Sequence, residues 1–320
     1  MTRYLVRRVV ISVVMILGTS MLIFGSLRIL PGNPVLTRFG ANSGVTAADI
    51  ARIQRGLGFD HPLVVQYWNW IVGTLHGNFG KSYFSQFSVT TLIAQRIPPT
   101  LELTVGSILI CLVVSVPAAI LSAIRPGGWL DRLTSMFASF ALALPAFVTG
   151  IMLLLVFAVH IKVLPAGGYA PLSKGIWPNV RLMILPACTL AIAQIPLVFR
   201  FFRSQLVEEL SASYVRTAQG KGAPRTRVVV RHALRNALIP GLTMLGVVTG
   251  YALGGVVVVE YVFGMGGLGS LAVTAANERD YAVLQGVVLL VSATFILVSM
   301  IVDLVSQALD PRLRIQQPSK

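Results

Sequence analysis

Side chains able to do chemistry are few and scattered in this sequence. The four histidines, His61, His76, His160 and His232, show no paired metal-ligand spacing. Cys111 and Cys188 stand singly inside apolar runs, where a cysteine reads as buried apolar filler rather than half of a disulfide or a zinc site. No Gly-x-x-x-x-Gly-Lys-Ser/Thr loop is present to cradle nucleotide phosphates, so the chain has no such route to ATP hydrolysis. Gly-x-Ser-x-Gly and His-Glu-x-x-His are absent as well. Glu208-Glu209 is an isolated acidic pair and reads as solvated helix surface. The expectation is a non-catalytic chain without cofactor or metal. What stands out is a block of charge. Between Ser211 and Pro240 lie Arg216, Lys221, Arg225, Arg227, Arg231 and Arg235, with no Asp or Glu. Such a stretch makes and breaks no bonds; it attracts an acidic partner or an anionic surface.

The elements that position this stretch are membrane spans. Of 320 residues, 55% are hydrophobic and 12% charged, about half the charge of a soluble domain, and the mean hydropathy is +0.78. Runs free of Asp, Glu, Lys and Arg cover 9–27, 103–124, 133–161, 182–199, 237–259 and 281–302. Each is close to the ~20 residues a helix needs to cross the hydrocarbon core. The period-2 alternation of a membrane barrel is missing. The fold class is therefore all-α integral membrane with six transmembrane helices, forming one transmembrane domain over 1–320. The Met-Thr-Arg-Tyr-Leu-Val-Arg-Arg start has no small-x-small cleavage site after it and is read as a retained first helix.

A net charge of +15 raises the question of nucleic acid, and the layout answers it. With an even number of spans, sixteen Lys and Arg fall on the side of the termini and nine on the other, five of the nine in one long loop. Charge thus reports orientation, with both termini and the basic stretch cytoplasmic, rather than nucleic-acid binding.

The long loop, about 31–97, carries a capped helix near Thr46 to Asp49, turn residues over 56–62, and an amphipathic aromatic stretch over 64–75 with Tyr67, Trp68 and Trp70, suited to the membrane interface. Pro98 and Pro99 mark the start of the second span. Pro117, Pro145, Pro186 and Pro196 lie inside later runs. They either line a path that changes shape or are ordinary kinked packing. Gly246, Gly250 and Gly254 recur every four residues as a smooth stripe, suited to an oligomer seam or an internal helix contact. Asp280 is placed to cap the last span. The charged residues nearest the spans, Arg28, Glu102, Glu260 and Asp303, sit near the ends of the runs. No acid lies deep enough to bind a proton in transit, which argues against a self-energised carrier.

The basic stretch also carries a resemblance. Tyr214-Val-Arg-Thr-Ala-Gln-Gly-Lys-Gly222, with Arg231-His-Ala-Leu-Arg-Asn-Ala-Leu-Ile-Pro240, resembles the cytoplasmic loop of dipeptide/oligopeptide ABC importer permeases. Supporting pieces run through nearly the whole chain: Leu57-Gly-Phe-Asp-His-Pro62, Gly77-Asn-Phe-Gly-Lys-Ser82, Pro98-Pro-Thr-Leu-Glu-Leu103, Gly267-Leu-Gly269, Arg279-Asp-Tyr281 and Leu309-Asp-Pro-Arg312. The long first loop is similar to that of the first of the family's two permease subunits. The resemblance implies a type I ABC importer-like permease in the cytoplasmic membrane of a prokaryote. It also implies a second homologous permease subunit, two ABC ATPase subunits, an extracytoplasmic substrate-binding protein and a short-peptide cargo. Glutathione, nickel chelates or haem are cargoes of relatives, and a secondary carrier is the alternative class. In the general motif of such loops, aligned on Gly222, the Glu position is Arg216 and the two Ala positions are Thr217 and Ala218; the Leu-Pro position falls near Leu234-Arg235 and does not match.

Within the loop, about 204–236, Tyr214 to Gln219 reads as a helix, Gly220 and Gly222 as its break, and Pro224 as the first turn of the next helix. The expected ATPase-coupling residues are Tyr214, Arg216, Thr217, Ala218, Lys221, Gly222, Ala223 and Pro224. Arg227, Arg231 and Arg235 would share one basic face, set against either acids of the ATPase or anionic lipid. Pro145, Gly246, Gly250 and Gly254 are the candidates for helix packing or a gate.

Overall fold

The computed structural model describes residues 2–29, 52, 55, 60–222, 224 and 228–309. The expected helix near Thr46, Ala223 and the tail from Asp310 lie outside these residues. The described residues are mostly helical, with no strand among them beyond a single bridge between Lys81 and Ser88. The helices are α1 (Thr2–Ile29), α2 (Leu63–Leu75), α3 (Val89–Ile124), α4 (Trp129–Ala143), α5 (Ala146–Leu153), α6 (Ile176–Ser211), α7 (Ser213–Gly220), α8 (Leu234–Val262), α9 (Leu268–Glu278) and α10 (Tyr281–Leu309). Five are long and apolar enough to cross a membrane, and the α4–α5 pair brings the number to six if it forms one bent span.

That pair departs from the expected kinked helix. α4 and α5 meet at 104°. A proline disfavours helical backbone in the residue before it. Leu144 accordingly takes φ −91° and ψ 122°, and Pro145 itself takes ψ 141°. Two successive extended residues turn a kink into a corner. α5 then runs into a π-helical turn, Leu154–His160. Other prolines stay within helices. Pro186 and Pro196 lie inside α6 and Pro240 inside α8. Pro98 and Pro99, expected at the start of a helix, lie well inside α3, which begins at Val89. Glu102 therefore also sits inside a helix rather than near its end, and Glu260 is fully buried two residues before α8 stops.

The chain divides into two compact units. The first comprises 1–100 and 264–296. In it, α2 packs on α1 through Phe24, Tyr67 and Trp70, whose ring centroids lie 5.5–6.1 Å apart, and Ser20 Oγ and Tyr67 Oη are 2.8 Å apart. Of the aromatic trio expected at the membrane surface, only Trp68 faces outward, 65% exposed. A second cluster joins Val89 and Ile93 of α3 to Leu268 and Ala275 of α9 and to Ala282, Val283 and Val287 of α10. Gly286 permits this approach, because a Cβ there would meet Val89 at 2.9 Å. Asp280 caps α10 as expected, accepting Val283 N at 3.4 Å. It also accepts the Ser82 hydroxyl at 2.5 Å and Tyr83 N at 3.2 Å, tying the turn before α3 to the α9–α10 corner.

The second unit comprises 101–263 and 297–320 and is built around α6. In its most apolar stretch 61% of α6 is buried, against 17% for α1, so its neighbours cover it more than lipid does. Small residues set the contacts: a Cβ at Gly241 of α8 would lie 2.5 Å from Phe202 of α6, and one at Gly255 would lie 2.7 Å from Leu190. Polar pairs bridge other helices of the unit. Ser122 and Thr134 hydroxyls lie 2.7 Å apart between α3 and α4, and Gln194 Nε2 donates to Ser107 Oγ at 3.5 Å between α6 and α3. Above them, Glu102 accepts Tyr169 Oη at 2.9 Å and Asn179 Nδ2 at 2.6 Å. The same loop is held by Gly168 N donating to Phe263 O at 2.9 Å.

Candidate functional site: the basic helical hairpin

The stretch singled out by charge folds as a helical hairpin between the two long central helices of the second unit. α6 ends at Ser211, and Ala212, at φ −64° and ψ 150°, breaks it and redirects the chain. α7 follows for two turns. It is amphipathic: Val215 is fully buried, while Ser213, Arg216, Thr217 and Gly220 are exposed. Thr217 Oγ1 returns to Ser213 O at 3.1 Å, which satisfies the hydroxyl within the helix. Lys221 N closes the last turn on Thr217 O at 3.1 Å. Gly222 then adopts φ +78°, the left-handed conformation that ends helices and that glycine takes without a side-chain penalty. Pro224 O accepts Val228 N at 3.2 Å, where a π-helical turn, Val228–Ala233, leads into α8. Val228, Val229, Ala233 and Ala237 are buried beneath it.

One carboxylate fastens the three pieces. Glu209, near the end of α6, accepts the Tyr214 hydroxyl of α7 in a short hydrogen bond. The same oxygen, Oε2, accepts Asn236 Nδ2 from the first turn of α8 at 3.1 Å. Asn236 Nδ2 also donates to Tyr214 Oη at 3.1 Å. Burial of the phenol, and then its bond to Glu209, raise the Tyr214 pKa above its ordinary value, so the hydroxyl stays a donor. The hairpin is thus linked to the helix before it and the helix after it through groups that each satisfy the others.

Glu209, read from the sequence as solvated helix surface, is half-buried and forms the centre of the fastening. Tyr214, expected to meet a partner, spends its hydroxyl inside the chain and leaves 39% of its surface exposed. Sequence reasoning missed Glu209 and Asn236. The available signal was a carboxylate bordering a long acid-free basic stretch, but nothing in a spacing of 27 residues pairs it with an amide. Arg216, Thr217, Lys221, Gly222 and Pro224 are all exposed, and together they form the outward face of the hairpin. Ala218 lies within α7. Of the proposed basic face, Arg235 is exposed and Arg231 lies in the π turn, while Arg225 and Arg227, like Ala223, are outside the described residues.

The packing candidates do not act as one seam. Pro145 is the exposed corner between α4 and α5. Gly246 is buried, and a Cβ there would meet Val302 of α10 at 3.3 Å. Gly250 is half-buried. Gly254 is exposed, with open space where a Cβ would be.

A multi-pass helical membrane protein with a polar hairpin joining two of its long apolar helices is the class this geometry defines. The model of the binding-protein-dependent transport system inner membrane component matches residues 115–315, and that of the N-terminal part of such membrane components matches 1–104. The chain belongs to this family of ABC transporter permeases. It is 37% identical over 311 residues to a probable peptide ABC transporter permease of Sinorhizobium fredii, covering 97% of this chain and 99% of that one. It is 38% identical over 319 residues to a putative peptide permease of Brucella suis, covering 98% and 100%. It is 38% identical over 314 residues to the glutathione transport system permease protein GsiC of Salmonella typhimurium, covering 98% and 99%.

Proposed function

We propose that the chain is a transmembrane permease subunit of an ABC importer for short peptides and carries out no catalysis itself. It spans the cytoplasmic membrane of a prokaryote as one transmembrane domain with both termini inside. It pairs with a second homologous permease, is driven by two ABC ATPases and receives cargo from an extracytoplasmic substrate-binding protein. The names of the peptide permeases that match it end to end support the class of cargo. GsiC matches equally well, and glutathione, itself a modified tripeptide, is the second reading.

The observation that carries the mechanism is the Glu209–Tyr214–Asn236 fastening. A partner that seats on the exposed face of α7 and moves as a rigid body displaces α7. Since α7 is hydrogen-bonded to both flanking helices, the displacement passes to α6 and α8 together. α6 is the helix around which its unit packs, so turning it alters the packing of every neighbour. The second permease has a candidate seat of its own. Val247, Tyr251, Gly254, Val258 and Tyr261 are exposed along α8 at alternating spacings of four and three, the spacing of a helix–helix seam. Uptake of radiolabelled dipeptide, tripeptide and glutathione into vesicles carrying the assembled transporter tests the cargo. Transport of none of them, by a complex whose ATPase is active, overturns the peptide reading.

A further inference from the structure

The first unit contains a cavity of about 410 Å3, lined in part by polar side chains, that the transport reading does not use. It lies at the end of α1, under α2 and beside the turn before α3. Arg28 and Lys81 line it, with the amides of Asn69 and Asn78 and the indole of Trp70. Among the described residues, no carboxylate lines it. Trp70 Nε1 is buried and has no hydrogen-bond partner, and such a donor is destabilising unless something accepts from it. Arg28 is half-buried with its guanidinium over the Phe24 ring, 5.0 Å from the centroid, which holds the planar cation in place. Two cations, several N–H donors and no acid make a site for an anion with several acceptor oxygens. A phosphate fits this donor set.

The surroundings indicate where that phosphate comes from. Arg28 is the last residue of an apolar span, Leu5–Arg28, so the cavity lies where hydrocarbon gives way to headgroups. α2, which roofs it, exposes Leu63, Val64, Trp68 and Leu75 at 57%, 78%, 65% and 78%. An amphipathic helix with such a face lies in the membrane interface. We infer that this cavity binds the phosphate of a lipid headgroup, with Arg28, Lys81 and Trp70 Nε1 as its donors, and that the bound lipid holds α2 against the end of α1.

Native mass spectrometry of the delipidated full-length chain, with its copurifying subunits, tests this by titration with phosphatidylglycerol. Diacylglycerol, inorganic phosphate and a dipeptide serve as the other probes. The expected result is saturable phosphatidylglycerol binding, about tenfold weaker in Arg28→Gln/Lys81→Gln and weakened several-fold in Trp70→Phe, which keeps the ring and removes the donor. Diacylglycerol should bind at least tenfold more weakly than phosphatidylglycerol. Three results overturn the inference: variants that bind phosphatidylglycerol like the parent, diacylglycerol binding equally well, or displacement of the lipid by the dipeptide, which makes the cavity a cargo carboxylate site. Inorganic phosphate binding as tightly as the lipid contradicts the lipid source and leaves a free-phosphate site.

Discussion

Asp131 and Arg203 form a two-pronged ion pair, Nε to Oδ1 at 2.5 Å and Nη2 to Oδ2 at 2.7 Å, that joins the first turn of α4 to α6. Gly127 N donates to the same carboxylate at 2.7 Å. The pair secures the near half of the broken span: α4 leaves its partner α5 at a corner, so its position depends on what it grips at its other end. Asp131 is 4% exposed, so solvent has little access to replace a lost partner. Arg203→Leu should lower stability by about 1.5–3 kcal/mol, and Asp131→Asn, which keeps one acceptor oxygen, by less. Thermal denaturation of the purified protein in detergent ranks the two; equal melting temperatures for parent and Arg203→Leu contradict the assignment.

The fastening of the hairpin predicts a graded series. Tyr214→Phe removes one donor from Glu209 and leaves the Asn236 bond. Glu209→Ala removes the shared acceptor and leaves only the bond from Asn236 Nδ2 to Tyr214 Oη, so α7 loses its tie to α6. Substrate-stimulated ATP hydrolysis should fall several-fold in the first and further in the second, with basal hydrolysis by the ATPases retained. A Glu209→Ala transporter with normal stimulation shows that the linkage does not transmit motion.

Two glycines on α8 separate internal packing from outward docking. Gly241→Ala forces a methyl group to within 2.5 Å of the buried Phe202 ring, an overpacking that costs about 1–3 kcal/mol. Gly254 has open space, so Gly254→Leu should leave the melting temperature of the isolated chain unchanged or slightly higher. It should, however, reduce recovery of the second permease in pull-downs. Full recovery with Gly254→Leu removes this face from the subunit interface.

Alkaline stability provides a test that involves no partner. Burial pushes the Tyr83 hydroxyl up to about 12, with Arg28 opposing the shift, and burial with the Glu102 bond pushes Tyr169 up to about 12. An acid whose pKa is raised on folding holds its proton longer in the native state, so the native state is favoured below about pH 10 and that advantage is lost between about 10 and 12. Melting temperature measured over that range should fall as pH rises, and Tyr83→Phe/Tyr169→Phe should flatten the fall. An unchanged slope in the double variant contradicts it.

The spans were legible because crossing hydrocarbon demands long uncharged runs, and five of six expected runs became single helices. The third was not, because a proline in such a run has two outcomes. Pro186, Pro196 and Pro240 are absorbed by helices whose neighbours pack around them, whereas Leu144 and Pro145 both turn extended. Only the surrounding packing decides between these. The hairpin was legible from its charge and its glycines, and Gly222 has the positive φ that a helix break requires. Glu209 and Asn236 were not, because a side-chain bond across a turn depends on how the two long helices are brought together, and local spacing carries no trace of that.

In the proposed transporter, α7 couples this chain to the ATPases. The most direct test is ATP hydrolysis in material copurifying with the tagged chain from its native membrane in mild detergent, with Gly222→Arg and Arg216→Glu alongside. Gly222→Arg places a bulky cation at a left-handed position in the turn, whereas Arg216→Glu changes only the exposed face of α7. Hydrolysis that follows the parent chain and is lost with both variants, while both still insert in the membrane and melt normally, is the predicted result. A folded parent chain that recovers no ATPase, or variants that recover it fully, contradicts the account.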